Sequence, residues 1–276
     1  MPVGGKEITM EFFKNIWEVF STQEYMQIIW KGLGTTLLVS CCAALLGLLL
    51  GTIVAVVKIA ATRSKKLRIP NMICNLYIGI VRGTPVALQL FIMAFAIFAI
   101  RGFPLEITAI LTFGINSGAY VAENLRAGIL SVDAGQTEAG RSLGLNGAMT
   151  MRHIVIPQAI KNVIPAIGNE LIALIKETSI VSMVGLIDLT FAAKIIGAGD
   201  KMADYLVPML VVALFYLAIV YALTFVLRRI ERKLRESEQH IDEAKAEKVR
   251  VRVSKKMDKI RNAYVGQPAA DKEEQA

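Results

Sequence analysis

Histidine and cysteine are scarce in this chain, and their scarcity limits the metal chemistry available to it. The 276 residues include two histidines, His153 and His240, and three cysteines, Cys41, Cys42 and Cys74. Cys41 and Cys42 are adjacent in an apolar run without a histidine beside them, which is a poor match to the ligand spacing of a zinc site. The sequence therefore predicts no metal site, and we interpret the cysteines as small packing residues.

A phosphate-binding loop is also missing. The pattern Gly-x-x-x-x-Gly-Lys-Ser/Thr, which cradles nucleotide phosphates, occurs nowhere, and Gly5-Lys6 is followed by Glu7, which has no hydroxyl group for a magnesium ion. No combination of a nucleophile and a base stands out either. We therefore predict that the chain is not an enzyme, has no catalytic residues and binds no cofactor itself.

Apolar residues, in contrast, are abundant. They make up 54% of the chain and raise the mean hydropathy to +0.51, above the level usual for soluble domains. The formal net charge is +8, but the basic residues cluster at the ends of apolar runs and in the tail. This distribution is typical of the cytoplasmic face of a membrane protein and argues against a nucleic-acid partner.

The apolar runs predict an all-α integral membrane protein with five transmembrane helices. The predicted spans are residues 33–57, 85–100, 105–129, 163–184 and 205–227. Basic clusters at 58–68 and 228–235 are expected in the cytoplasm, which places the amino terminus outside and the carboxyl terminus inside. In the first span, Gly47 and Gly51 either allow close approach of another helix or simply face lipid.

Three segments follow from this pattern. Residues 1–30 are predicted to lie at the membrane surface, with Trp17 and Trp30 as interface anchors. Residues 31–229 form the membrane domain, which includes a cytoplasmic loop at 131–162. Residues 230–276 are a charged cytoplasmic tail, either solvated or docked on a partner.

A helix break is predicted before the second span, at Arg82-Gly83-Thr84-Pro85. Proline donates no backbone hydrogen bond and biases the residue before it away from helix. Because broken backbone at membrane depth is tolerated where it is buried in protein or lines a cavity, the break is a candidate wall of a pathway.

The polar loop at 131–162 has the local signals of a helix–turn–helix knob. Asp133 can cap a first helix, and Gly144 is placed where that helix would stop. Asn146 can begin a second helix, which Pro157 would end or kink. An ordered polar knob between apolar spans is expected to contact a soluble partner.

The same loop closely resembles the cytoplasmic signature of the permease subunits of bacterial ABC importers. That signature is Glu-Ala-Ala, three residues, Gly, nine residues, Ile, one residue, Leu, Pro. Gly140 replaces its third-position alanine and Ile156 its leucine, and both keep small or aliphatic character. The resemblance implies that the knob couples to an ATPase through Glu138, Ala139, Gly140, Arg141, Gly144, Ile154 and Pro157.

The resemblance also implies partners and a location. ATP and magnesium would be bound by a separate ATPase subunit that receives the knob, and an extracytoplasmic binding protein would deliver the substrate. The chain would work as a homodimer, or as a heterodimer with a similar permease, in the bacterial cytoplasmic membrane. The segments 82–85, 116–120 and 168–170 look like those of permeases that import polar amino acids such as histidine, arginine, glutamine or glutamate.

Carboxylates inside the predicted spans point to the substrate, because ionisable groups there are costly and usually mark pathways or paired sites. Glu123 shares a helix face with Asn116 and Tyr120 at i, i+4, i+7 spacing, and Glu170 and Glu177 share another. Paired carboxylates favour cationic amino acids such as arginine, lysine or histidine, and the resemblance implies that Glu170 and Glu177 contact the substrate. The predicted substrate-binding residues are Arg82, Asn116, Ser117, Tyr120, Glu123, Glu170 and Glu177.

Alternatives remain open at several of these positions. Glu170 could bond structurally between helices, Glu177 could pair with a basic side chain near a subunit interface, and Glu123 could bridge to Arg126. Arg82 could meet a substrate carboxylate or hold the broken helix. For the whole chain, the alternative functions are an ion-coupled secondary amino acid transporter and a membrane scaffold or receptor without transport activity.

Overall fold

Helices and the turns between them account for the regular structure of this computed structural model, which describes residues 5–62, 64–199 and 204–265. The α-helices are α1 (Gly5–Ser21), α2 (Gln23–Ala61), α3 (Arg68–Gly83), α4 (Val86–Ile92), α5 (Leu105–Leu130), α6 (Ala134–Ser142), α7 (Gly147–Thr150), α8 (Ile156–Glu177), α9 (Leu189–Gly197) and α10 (Leu206–Val265). Short 3-10 segments lie at Lys65–Leu67 and Thr178–Met183, and π-helical turns at Met93–Ile97 and Met151–Val155. The predicted all-α fold class is confirmed.

The chain divides into two compact units, Met1–Leu227 and Arg228–Ala276. The first unit contains α1 to α9 and the apolar part of α10, and the described part of the second is the charged remainder of α10. The predicted surface segment 1–30 covers α1 and the start of α2, so that Trp17 and Trp30 lie on different helices, and both are exposed. The end of the predicted tail, 266–276, lies outside the described residues.

Three helices of the described chain are long and apolar enough to cross a membrane: α2, α5 and the stretch Leu206–Leu234 of α10. A fourth crossing is possible through the segments Lys65–Gly83 and Val86–Ile97, which are bent by 105°. The bend falls at the predicted break, because Thr84 and Pro85 are extended between α3 and α4. The remaining predicted span, 163–184, coincides with α8 and the 3-10 segment that follows it, which are not among the helices of the described chain that are long and apolar enough to cross a membrane.

Small residues bring α2 and α5 into direct contact. A Cβ atom on Gly47 would lie 2.8 Å from the Cβ of Ser117, and one on Gly51 would lie 2.6 Å from the Cβ of Val121. On α5, a Cβ atom on Gly114 would similarly lie 2.6 Å from Leu46. The close-approach alternative for Gly47 and Gly51 is therefore confirmed, and their partner is the helix that carries several of the predicted site residues.

Helix α9 was not predicted, because its surroundings read as a mixed polar connection. It nevertheless belongs to a core with α1, α2 and α10, where Leu189, Ala193 and Ile196 are buried. Its amino-terminal cap is Asp188, whose side chain accepts hydrogen bonds from the N–H groups of Thr190 (3.0 Å) and Phe191 (2.8 Å). This cap fixes the start of α9 after the 3-10 segment Thr178–Met183.

Candidate functional site

The helix–turn–helix knob forms from the local signals in its sequence. Asp133 caps α6, with its Oδ1 accepting a hydrogen bond of 2.6 Å from the Gly135 N–H. Gly144 has a φ of +83°, a left-handed conformation that favours glycine and ends the first helix. Asn146 caps α7 through its Oδ1, which accepts from Ala148 N (3.1 Å) and Met149 N (2.9 Å). The prediction of two capped helices is confirmed.

A small internal core holds the two halves of the knob together. Gly140 is buried, and a Cβ atom on it would lie 2.8 Å from Ile154 Cδ1 and 2.9 Å from Thr150 Cγ2. These contacts give a physical reason for glycine where the importer signature has alanine. They also show why Gly140 and Ile154, far apart in the motif, belong to one unit.

The outer face of the knob is open to solvent. Glu138, Ala139, Arg141 and Gly144 are exposed, and Leu143 beside them is 80% exposed. A single exposed apolar side chain is ordinary on a protein surface, so Leu143 adds apolar area to this face without marking a binding surface by itself. Leu143 was not among the predicted coupling residues, and only its exposure in the fold brings it to notice.

Pro157 acts differently from a helix terminator. The chain passes from α7 through the π-helical turn Met151–Val155 directly into α8, with Pro157 at the start of α8. The wider π turn accommodates a proline that supplies no N–H group to the preceding turn. The predicted end or kink is therefore a local widening, and the knob is joined to α8 by continuous helical backbone.

One group of predicted substrate residues lies along α5, opposite the bend between α3 and α4. Asn116 Nδ2 donates a hydrogen bond of 3.0 Å to Gln89 Oε1 on α4. One turn further on, the Tyr120 ring lies under the Arg82 guanidinium at 5.0 Å. Arg82 thus reaches across to α5, and it is exposed enough to meet a ligand.

Glu123 is the last of the predicted substrate residues along α5, and its carboxylate is already paired with basic side chains. Its Oε1 accepts a hydrogen bond of 3.0 Å from Arg126 Nε, and its Oε2 is 3.8 Å from Lys58 Nζ on α2. The structure thus contains the alternative bridge to Arg126, and adds Lys58. Lys58 was interpreted from the sequence only as part of a cytoplasmic basic cluster.

Ser117, Glu170 and Glu177 form the second group. The Ser117 hydroxyl is buried without a hydrogen-bond partner among the described residues, and it lies near the Glu170 carboxyl of α8. Glu177 is within electrostatic range of Glu170, and both carboxyls are half-buried. In the described chain, no recorded ion pair neutralises either of these two carboxylates.

Two polar features were missed from the sequence. Gln89 presents its NH2 group to three acceptors at the helix break and accepts a hydrogen bond from Asn116, and Asp188 is fully buried at the start of α9. Burial raises the pKa of the Asp188 carboxyl, while hydrogen bonds from Phe191, Thr190 and Tyr216 oppose that increase. The only advance signal was position, since Gln89 follows the break by one helical turn.

The described residues contain no group of three His, Cys, Asp or Glu side chains that could hold a metal ion. The site consists of hydrogen-bonding and carboxylate groups on α4, α5 and α8, together with an exposed knob between α5 and α8. Such an arrangement can bind a polar solute and a protein partner by non-covalent contacts.

Comparison with known proteins agrees with this arrangement. Residues 47–236 match the family model described as binding-protein-dependent transport system inner membrane component. The arginine transport system permease protein ArtQ of Bacillus subtilis is 38% identical over 221 residues, which are 79% of this chain and 97% of that protein. The putative glutamine transport system permease protein GlnP of Rickettsia bellii is 40% identical over 206 residues, 74% of this chain and 91% of the relative.

Solved structures show the same fold. A crystal structure of an amino acid ABC transporter with histidines contains a chain that is 38% identical, with a TM-score of 0.70, covering 76% of this chain and 95% of that one. An inward-facing MetNI methionine ABC transporter matches with a TM-score of 0.64 at 20% identity, covering 77% and 99%, which shows the fold alone. The family model spans most of the chain and the relatives match over most of their length, so this chain belongs to the inner membrane components of binding-protein-dependent transport systems, multi-pass proteins of the bacterial cytoplasmic membrane.

Proposed function

We propose that this permease carries a polar amino acid into the cytoplasm and prefers a cationic one. Its relatives are named for arginine and glutamine transport, and its structural neighbour is an amino acid transporter. The observation within the chain that carries the proposal is the pair of half-buried carboxyls Glu170 and Glu177, with Ser117 beside the first. Nearby carboxylates repel each other when both are ionised, and a bound ammonium or guanidinium group relieves that repulsion.

The energy for transport comes, in this proposal, from a partner chain that binds ATP and magnesium. The supporting feature is the knob, whose exposed face combines the charges of Glu138 and Arg141 with the apolar side chain of Leu143. The knob is rigid because Asp133 and Asn146 cap its helices. A displacement imposed on it would reach α8 through continuous helical backbone, and α8 carries both carboxyls.

Five spans with the amino terminus outside fit this mechanism. Helix α8 would be the fourth span, and it is less apolar than a lipid-exposed helix because one face carries Glu170 and Glu177. The bent pair α3–α4 would be the second span and would line the pathway at its break. Basic residues before α3 and after Leu227 would then both lie in the cytoplasm.

A second permease subunit completes the pathway in this proposal. Five helices are few to enclose a gated cavity, so the chain would pair with a copy of itself or with a similar permease. An extracytoplasmic binding protein would release the amino acid to the outer mouth, in keeping with the binding-protein-dependent family to which the chain belongs.

Reconstitution tests the whole proposal. The chain is purified with its candidate ATPase partner, inserted into liposomes, and supplied with arginine, histidine or glutamine together with the binding protein. ATP hydrolysis stimulated by an amino acid supports the proposal. Uptake driven by an ion gradient without ATP indicates a secondary transporter, and the absence of both activities indicates a scaffold or receptor; either result contradicts the proposal.

The role of the knob is tested separately. Glu138→Arg reverses a charge on the exposed face without touching the internal core, so the ATPase should co-purify poorly and stimulated hydrolysis should fall at least about tenfold. Glu11→Arg, an equally exposed reversal on α1, serves as the control and should have no effect. Equal behaviour of the two variants would remove the knob from the coupling mechanism.

A further inference from the structure

Gln89 connects the two sides of the helix break. Its NH2 group lies within hydrogen-bonding distance of Val81 O (2.8 Å), Thr84 O (3.2 Å) and Thr84 Oγ1 (2.8 Å), and its two hydrogens are shared among these acceptors. The last carbonyls of α3 have no partner within that helix, because the chain bends by 105° after it. The Gln89 side chain on α4 therefore provides hydrogen-bond donors for backbone carbonyl oxygens that lose their helical partners at the break.

These contacts settle the orientation of the Gln89 amide. Backbone carbonyl oxygens can only accept hydrogen bonds, so the group that faces Val81 O and Thr84 O must be the NH2 of Gln89. Its Oε1 then faces α5, and the side chain opposite, Asn116, must present its own NH2 at 3.0 Å. The two amides are fixed by the chemistry of their partners.

The consequence for Asn116 is that its acceptor atom is left for another use. Within the described chain, no recorded hydrogen bond reaches Asn116 Oδ1, although Asn116 itself is buried. The same face of α5 continues through Tyr120 to Glu123. Among the described residues only Ser117 Oγ is a fully buried side-chain atom without a partner, so Asn116 Oδ1 keeps some accessible surface. A carbonyl oxygen only accepts hydrogen bonds, so it favours an ammonium or guanidinium group over a carboxylate.

We infer that Gln89 is a specificity-determining positioning residue: by its contact with Asn116 it holds an acceptor toward the pathway, and so selects cationic amino acids. This inference rests on the proposed function. Gln89 does not itself need to touch the substrate, because it acts through the orientation of the Asn116 amide. A residue that only held the bend would affect assembly or the rate of transport, but not the choice between substrates.

Two substitutions separate the orienting role from the bend. Gln89→Met removes every hydrogen bond and frees the Asn116 amide to rotate. Gln89→Glu loses the donors to Val81 O and Thr84 O, but its carboxylate still accepts from Asn116 Nδ2 and keeps the amide orientation. Gln27→Met, at an exposed position on α2, is the matched control.

The experiment measures uptake of L-arginine and L-glutamate by the complete transporter in liposomes. Gln89→Met should raise the KM for arginine about tenfold, change the maximum rate little, and lower the preference for arginine over glutamate by a similar factor. Gln89→Glu should keep the preference, and so should the control. In the double variant Gln89→Met with Asn116→Ala, the losses should not multiply, because both changes remove one function.

Three outcomes would overturn the inference: an unchanged preference in Gln89→Met, equal loss of preference in the Glu and Met variants, or losses that multiply in the double variant. Failure of the proposed function looks different, since wild-type protein would then transport no amino acid. Assembly of each variant with the ATPase is measured alongside, so that a folding defect is recognised as such.

Discussion

Gly140 on α6 and Ile154 beyond α7 are in direct contact inside the knob, with no space for a Cβ atom on Gly140 unless Ile154 and the neighbouring Thr150 both shift. This relationship makes the knob one mechanical unit, because the residue that replaces alanine in the importer signature packs on the isoleucine of the same signature. The size of residue 140 therefore controls how the two knob helices sit against each other.

Substitutions at Gly140 should show a steep dependence on size. Gly140→Ala should have the smaller effect, because the Ile154 Cδ1 atom can shift and alanine favours helix by up to about 1 kcal/mol, although Thr150 Cγ2 at 2.9 Å offsets part of that gain. Gly140→Leu should separate the two helices of the knob and abolish amino-acid-stimulated ATP hydrolysis. The variant should still insert into the membrane, because the change does not touch the membrane helices. The measurement is amino-acid-stimulated ATP hydrolysis in both variants. Normal stimulation in Gly140→Leu would contradict the prediction that the size of residue 140 controls coupling.

Replacement of Glu170 should weaken transport of cationic amino acids. Glu170→Gln keeps the shape of the side chain and removes its charge, so the KM for arginine should rise at least about tenfold, the cost of a lost charge-assisted hydrogen bond. Glu106→Gln, exposed at the start of α5, is the matched control. If arginine uptake by Glu170→Gln equals that of the control, the carboxyl has a structural role between helices.

Glu123 should behave differently from Glu170, because Lys58 and Arg126 already neutralise it. Glu123→Gln should lower the thermal stability modestly, by no more than about 1 kcal/mol since the pair is partly exposed, and leave the KM for arginine within a factor of two. Thermal unfolding in detergent and uptake kinetics are the two measurements. A large rise in KM with unchanged stability would place Glu123 among the substrate ligands instead.

Asp188 should make stability depend on pH. Burial raises the pKa of its carboxyl in the folded protein, so folding favours the protonated form. The contribution of Asp188 to folding stability is therefore greatest at pH values below the ordinary aspartate pKa. It is lost as the pH rises from there through the higher pKa that the carboxyl has in the folded protein. The midpoint of thermal unfolding, compared between wild type and Asp188→Asn across this pH range, should show a slope that the variant lacks.

The sign of that slope is the decisive observation. A wild-type protein that gains stability over the variant as the pH rises would mean that the hydrogen bonds from Thr190, Phe191 and Tyr216 dominate over burial. Asp188→Asn keeps only one of the two acceptor oxygens that bind Phe191, Thr190 and Tyr216, so it lowers stability at every pH. The comparison therefore uses the slope with pH and not the absolute unfolding midpoint.

Local sequence signals were sufficient to predict those features that depend only on residues close together in the sequence. The caps at Asp133 and Asn146, the left-handed Gly144 and the break before Pro85 were all predicted, because each depends on backbone chemistry within a few residues. Helix α9 could not be predicted in the same way. Its burial comes from α1, α2 and α10, which are distant in the sequence.

The candidate site likewise has features that the local sequence predicted and features that depend on tertiary contacts. Spacing correctly placed Asn116, Tyr120 and Glu123 along α5, but it did not reveal that Gln89, Arg82 and Lys58 face them. Those partners come from α4, α3 and α2, and nothing in their spacing along the chain specifies which helices become neighbours.

By itself, the sequence determined that this is a helical membrane protein with a capped polar knob that resembles that of ABC importers, because apolar run length, charge clusters and motif spacing are properties of contiguous residues. Only the tertiary structure decided which polar groups are paired and which remain available. That assignment depends on the close contact of α2 with α5 and on the bend between α3 and α4, which bring together side chains that are far apart in the sequence.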